Sequence, residues 1–196
     1  MTFLKSAIVS GACLAALAMG QARAEIIEEF RIGFAKHDVE LTGDEPRESG
    51  VNIQPQIVFT SPDLFRFIWS PNPYLIASIN TDGETNFAGG GLLYKRNFFD
   101  TRWFWELDGG IVYQDGRVDL PPPIEAEERR RILASEITFG SELQFHFVSG
   151  IGREVSDKWD VQFYFEHLSH GQIFGETEKN EGVENIGIKF GRRFTN

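Results

Sequence analysis

Apolar and polar residues alternate along most of the chain with a period of two, which is the pattern of β-strands that have one apolar face. The clearest run is WDVQFYFE at 159–166, in which every odd position is apolar. Seven other segments show the alternation, although the glycine-rich fourth shows it weakly. The eight segments lie at 28–34, 51–59, 75–80, 85–95, 103–114, 136–147, 159–166 and 185–194. The pattern therefore predicts an all-β fold with eight strands.

Residues that favour turns separate these segments. They are Ser61-Pro62-Asp63, Asn72-Pro73, Asp82-Gly83, Asp115-Gly116 and Gly150-Ile151-Gly152. Pro55 lies inside the second segment, where a missing N–H predicts a bulge or a strand end. A helical period is confined to Glu125–Arg131, which carries Glu–Arg pairs four residues apart. We expect this short helix to lie in a long connection between two strands.

Two architectures produce such a pattern. A soluble barrel of the lipocalin type has the apolar rows inside, whereas a transmembrane barrel turns them towards lipid. Phe and Trp are frequent in the apolar rows, and Trp69, Trp103, Trp105 and Trp159 lie near strand ends, which is typical of an interfacial aromatic girdle. The sequence thus favours an eight-stranded antiparallel transmembrane β-barrel of the bacterial outer membrane. An even number of strands then places both termini in the periplasm and the long polar connections outside.

The amino terminus has the features of a secretory signal peptide. Lys5 precedes an apolar stretch, and Ala22-Arg23-Ala24 has the form of a cleavage site. We predict a signal peptide at 1–24 and a single β-barrel domain at 25–196. Cys13 lies inside the apolar stretch and could mark a lipoprotein, but Ser10 stands where such a signal needs an aliphatic residue.

The composition narrows the classes of function. The mature chain lacks cysteine, so it has no disulfide and no thiolate metal site, and no residue spacing predicts a metal. Cleavage removes two cations and changes the net charge from −10 to −12, which argues against a nucleic-acid partner. The mature chain has no apolar run of helical transmembrane length.

Three polar residues extend rows that otherwise face lipid. His167 and Ser169 continue the apolar row of the seventh strand, and Glu184 has the parity of the apolar residues that follow it in the eighth. These strand ends meet at one rim. A serine, a histidine and a carboxylate are the parts of a nucleophile, a general base and an orienting group for acyl transfer. The alternative is that these residues only contact lipid headgroups at the rim.

Other candidate residues have simpler interpretations. His37 and His146 are expected to be structural, and Glu166 is expected to be a solvated loop or lumen charge. Arg129–Arg131 is either a solvated face or a contact for lipid phosphate.

The motifs His167-Leu-Ser169 and Asn180-Glu-Gly182-Val-Glu184 resemble those of the lipid A 3-O-deacylase (PagL-like) family of outer-membrane acyl hydrolases. The segment 78–85, SINTDGET, is similar to that family's central strand pair. The resemblance implies an eight-stranded barrel that hydrolyses the ester-linked acyl chain at position 3 of lipid A without a cofactor.

By this resemblance Ser169 is the nucleophile, His167 the base and Glu184 the residue that orients it. Three further residues are candidates for supporting the oxyanion: His170, which stands where the family has Asn, and also Gly171 and Asn180. The expected partner is lipid A in the outer leaflet, and a homodimer is left open. Two alternatives also stay open, namely a non-enzymatic structural barrel and an acyl hydrolase of phospholipids.

Overall fold

Eight β-strands, each antiparallel to its neighbours in sequence, close into a barrel through pairing of the first strand with the last. The computed structural model describes residues 26–39, 46–171, 173 and 181–194. The predicted signal peptide at 1–24 and Asn180 therefore lie outside the described residues. The strands are β1 (Ile27–Lys36), β2 (Val51–Phe59), β3 (Asn72–Asn80), β4 (Phe87–Asn97), β5 (Trp103–Gln114), β6 (Leu143–Glu154), β7 (Trp159–Ser169) and β8 (Val183–Arg193).

The barrel has two distinct ends. The β1–β2, β3–β4, β5–β6 and β7–β8 connections lie at one end, which we call the loop end. The first residue of β1, the last residue of β8 and the remaining connections lie at the other, the terminal end. The four tryptophans all lie towards the terminal end, in or near the first residues of β5 and β7 and after a 3-10 helix at Asp63–Ile68. The aromatic residues expected to form a girdle thus include tryptophan at one end only.

The side chains alternate between a polar interior and an apolar outer surface. Gln54 and Glu106 point inward and are fully buried, whereas Phe163 on the outer surface is 58% exposed. A soluble lipid carrier would have the opposite arrangement. Strands of 9 to 12 residues are also long enough to cross a bilayer at the usual tilt. The predicted fold, an eight-stranded antiparallel β-barrel with an apolar outer surface, is therefore confirmed. None of the helices in the described part of the chain has the length and apolar character of a membrane-spanning helix.

Ion pairs and hydrogen bonds fill the interior, as expected for a barrel of eight strands. Arg31 binds Glu106 at 2.8 Å and Glu29 at 2.9 Å, and Lys95 binds Asp160 at 2.6 Å. These contacts join β1, β4, β5 and β7 across the lumen. Buried charges are costly unless they are paired in this way, so the loss of one partner would destabilise the barrel.

The β5–β6 connection covers the loop end of the lumen and corrects the prediction for the sixth strand. It contains a helix, α1 (Ala126–Ser135), near the expected position. Ile137 and Phe139 were predicted to face lipid, but they are fully buried in a cluster with Leu168 and Val183. A left-handed turn at Gly140 interrupts the extended chain before β6 starts at Leu143.

Two further predictions were wrong. Gly150 and Gly152 do not form a turn, because β6 continues to Glu154. A Cβ atom at Gly152 would lie 2.2 Å from the Phe104 ring, so this glycine makes room for an inward-facing aromatic. β2 runs through Pro55 without a bulge, and the pairing with β3 has the same register on both sides of the proline.

Candidate active site

His167 and Glu184 face each other across neighbouring strands. They are direct partners in the β7–β8 register, near the loop end. His167 Nδ1 lies 3.7 Å from Glu184 Oε1, and the two side chains are 37% and 19% exposed on the outer surface. Directly opposite residues in an antiparallel pair are close enough for their side chains to interact. The alternation that makes a β-strand thus brings together a histidine and a carboxylate that are 17 positions apart in sequence.

Ser169 lies on the same outer face, one outward position beyond His167. It is the last residue of β7 and pairs with Phe145 of β6, whereas the pairing with β8 ends at Leu168. Adjacent outward positions of a strand are about 6.6 Å apart at Cα. Within the described part of the chain, no hydrogen bond joins the Ser169 hydroxyl to the imidazole. Catalytic hydrogen bonds are often long in a free enzyme and tighten when the substrate binds.

Backbone and interior contacts hold the Glu184 segment from two sides. The N–H of Val39 donates to the backbone oxygen of Glu184 at 2.8 Å, which extends the β1–β8 pairing past the end of β1. Inside the barrel, Asn185 donates to Glu166 at 2.7 Å. Glu166 and Asn185 are themselves cross-strand partners. The outward pair His167–Glu184 is therefore adjacent to the inward, hydrogen-bonded pair Glu166–Asn185.

Gly182 lies against the His167 imidazole. A Cβ atom at this position would be 2.7 Å from the backbone oxygen of Leu168 and 2.9 Å from His167 Cε1. Atoms cannot approach this closely without displacement. A glycine at 182 thus allows the start of β8 to lie beside the ring, and this explains one glycine of the Asn180–Glu184 motif.

The three candidates for oxyanion support have different positions. His170 is fully buried with the inward parity of Leu168, so the structure does not bring its side chain to the face of Ser169. Gly171 is exposed and has a left-handed backbone (φ 59°) two residues after Ser169. In the described residues its N–H has no hydrogen-bond acceptor. Asn180 lies outside the described residues.

Lys36 was not among the residues predicted for the site. This exposed lysine ends β1 and pairs with Ile186 of β8, so it lies on the opposite side of Glu184 from His167. It has the outward parity of Phe34. Following the apolar row of the first segment to its end would have identified it, as it did for the seventh.

A buried contact between a histidine and a carboxylate supports the neighbouring β1–β2 connection. Glu48 Oε2 lies 2.7 Å from His37 Nε2 and accepts the N–H of Thr85 at 3.3 Å. Burial raises the pKa of Glu48, but the hydrogen bonds from His37 and Thr85 outweigh it and hold the pKa below its ordinary value of 4.5. His37 is structural, as predicted, and Asn52 contacts its other ring nitrogen at 3.0 Å.

The candidate site lies on the outer surface of the barrel, and the polar cavity found in the barrel lies elsewhere. A polar cavity of about 190 Å³ lies at the terminal end of the lumen, where Arg31, Asn72 and Lys95 contribute to its lining. It is therefore at the opposite end of the barrel from His167. Over the described ranges, no three or more His, Cys, Asp or Glu side chains are grouped so as to hold a metal ion.

Three solved structures are similar to this chain, and the first of them supports this architecture. The crystal structure of the outer membrane enzyme PagL has a TM-score of 0.56 and 13% sequence identity, with 83% of this chain and 98% of that chain covered. The Neisserial surface protein A has a TM-score of 0.49 at 12% identity, covering 86% and 97%. The Yersinia pestis protein Ail has a TM-score of 0.44 at 9% identity, covering 86% and 99%. No curated protein matches the chain in sequence, and the comparisons give no support for a homodimer.

The family comparison is more specific than the structural one. The family model described as lipid A 3-O-deacylase (PagL) matches residues 67–193, which is about two thirds of the chain. This range includes His167, Ser169 and Glu184, and it starts within the 3-10 helix before β3. The chain belongs to the lipid A 3-O-deacylase (PagL) family and is an eight-stranded β-barrel of the bacterial outer membrane.

Proposed function

We propose that the protein is an outer-membrane esterase that removes the 3-O-linked acyl chain from lipid A, with Ser169, His167 and Glu184 as its catalytic residues. The observation that carries the proposal is the His167–Glu184 pair, 3.7 Å apart on the lipid-facing surface. Polar residues on such a surface are costly in lipid and therefore favour a functional role. The membership of the chain in the deacylase family supports the same reaction.

The geometry suggests a role for each group. Nδ1 of His167 faces the carboxylate, so Nε2 is available to accept the Ser169 proton. The Ser169 oxygen then attacks the ester carbonyl, and the resulting oxyanion accepts a hydrogen bond from the N–H of Gly171. When the intermediate collapses, the sugar oxygen takes the proton from His167 and leaves as an alcohol. Water, deprotonated by His167, releases the fatty acid from Ser169 and restores the enzyme.

The location of these residues suits a substrate that stays in the membrane. Lipid A has its acyl chains in the bilayer and its sugars at the surface, so its ester bonds lie near the depth of the barrel rim. A site on the outer wall receives such an ester by lateral diffusion. Glu184 stabilises the imidazolium that forms in each step.

Lipid A masses test the proposal directly. We would express the wild type, Ser169→Ala and Ser149→Ala in a bacterial outer membrane. Ser149 is an outward-facing serine of β6, away from the rim, and serves as the matched control. The proposal expects loss of one hydroxyacyl chain with the wild type and Ser149→Ala but not with Ser169→Ala. Unchanged lipid A in the presence of a folded wild-type barrel would refute it and favour a non-enzymatic barrel or an acyl hydrolase of phospholipids.

A further inference from the structure

The outer surface near the loop end has few polar side chains, and they are grouped. Each of the eight strands has two outward positions nearest the loop end. Apart from the phenol of Tyr113, only four of these positions are polar. They are Lys36, His167, Ser169 and Glu184, on the contiguous strands β7, β8 and β1. Lys36 therefore belongs to the same polar patch as the proposed catalytic residues.

The position of Lys36 relative to the other three follows from the register. Lys36 pairs with Ile186, and Glu184 is the next outward position of β8 towards the loop end. Diagonal neighbours of this kind are about 7 to 8 Å apart at Cα. His167 is one strand further and one outward position nearer the loop end than the level of Lys36, so the two Cα atoms are about 12 Å apart.

The ammonium group of Lys36 has no protein partner in the described part of the chain. No ion pair or hydrogen bond involves this group in the described ranges, although Glu184 is the diagonal neighbour of Lys36 on β8. The other outer-surface cations lie at the terminal end: Arg153 and Arg192 each contact a tryptophan ring there. An exposed cation at the end of a lipid-facing row is well placed to bind an anionic group at the membrane surface.

We propose that Lys36 binds a phosphate group of the glycolipid substrate and so positions the ester at Ser169. This inference rests on the function proposed above and names the substrate group that the site recognises. A lysine binds phosphate as a point charge with three donors. Because a phosphate on the sugar that bears the ester lies within a few bonds of the reacting carbonyl, one substrate molecule can contact both groups. Lys36 is then a binding residue with no part in proton transfer.

The test compares Lys36→Gln and Lys36→Arg with the wild type on two substrates. One is bis-phosphorylated lipid A and the other is the same lipid with its phosphates removed. Lys158, an exposed lysine at the terminal end, gives the matched control Lys158→Gln. We expect Lys36→Gln to raise KM about tenfold on the phosphorylated lipid, which is the effect of one charged hydrogen bond. On the dephosphorylated lipid KM is expected to stay unchanged, and kcat to stay within about twofold on both. Lys36→Arg and Lys158→Gln should behave as the wild type.

Two outcomes would overturn the inference. If KM is unchanged on the phosphorylated lipid, Lys36 does not bind the substrate. If KM rises equally on both lipids, Lys36 contacts headgroups in general and does not recognise phosphate on the substrate. Binding of both lipids to Ser169→Ala barrels in detergent, with and without Lys36→Gln, separates this result from the esterase proposal. Phosphate-dependent binding that requires Lys36, together with no hydrolysis by the wild type, would retain the phosphate site and reject the esterase.

Discussion

Glu166 is the residue whose removal most sharply tests how the interior supports the outer surface. It is fully buried and accepts three hydrogen bonds, from His146 Nε2 at 2.8 Å and from Asn185 Nδ2 and Gln54 Nε2 at 2.7 Å each. Tyr74 contacts the other ring nitrogen of His146 at 2.8 Å. The carboxylate thus connects β7 with β2, β6 and β8.

The variant Glu166→Ala leaves three donors without their acceptor inside the lumen. A hydrogen bond to a charged group contributes about 1.5 to 3 kcal/mol, and breaking a buried charged pair costs about 3 to 5 kcal/mol. Water entering the space offsets part of this loss. We therefore expect the free energy of unfolding to fall by about 3 to 5 kcal/mol.

Guanidinium-induced unfolding of the barrel in lipid vesicles measures this value through tryptophan fluorescence. The tryptophans lie towards the terminal end, away from the substitution, so they report on unfolding of the barrel as a whole. Glu127→Ala, on the exposed face of α1, is the control and should change stability by less than about 0.5 kcal/mol. A loss below about 1 kcal/mol in Glu166→Ala would show that the interior network does not stabilise the β7–β8 end.

Three further predictions concern the site and the loops around it. Gly182→Ala should lower kcat at least tenfold in a lipid A assay, because its Cβ displaces the His167 ring, whereas Gly109→Ala, which meets no atom within 4 Å, should not. The stability that Glu48 contributes is fully present above about pH 4.5 and is lost as the pH falls through its lower pKa in the folded state. The free energy of unfolding of Glu48→Gln, measured against pH, should therefore lack this loss. Identical pH profiles for the variant and the wild type would contradict the prediction. Phe139→Ala leaves a cavity under the β5–β6 connection and should lower the free energy of unfolding by about 3 kcal/mol. If a protease cleaves this connection no faster in the variant than in the wild type, Phe139 does not hold the connection over the lumen.

The pattern of alternating residues was sufficient to predict the barrel and the faces of most strands. The parity of the seventh segment gave the outward direction of His167 and Ser169 without any knowledge of contacts, because alternation in a strand is a local property. The same argument applied to β1 would have included Lys36. The partner strands of a meander barrel also follow from chain order, so the approach of His167 to Glu184 was predictable within one or two residues.

The wrong predictions concern segments in which the same local pattern of apolar, polar and small residues can have two physical causes. Ile137 and Phe139 alternate with polar residues as in a strand, but they are apolar because they cover the lumen. Gly150 and Gly152 resemble a turn, but they are small because Gln162 and Phe104 occupy the space beside them. Both causes depend on residues that are distant in sequence, and a single sequence does not contain that information.

In the described part of the chain, two His–Glu pairs join neighbouring strands, and their surroundings separate their roles. His146 and Glu166 are fully buried, 2.8 Å apart, with every ring nitrogen bonded. His167 and Glu184 are 3.7 Å apart and partly exposed, and the second ring nitrogen faces no protein acceptor in the described residues. His146 is buried in the lumen, where a lipid substrate outside the barrel cannot reach it, so its role is structural. The shift of a single residue along β7, from Glu166 to His167, therefore separates a structural group from one that is available for chemistry.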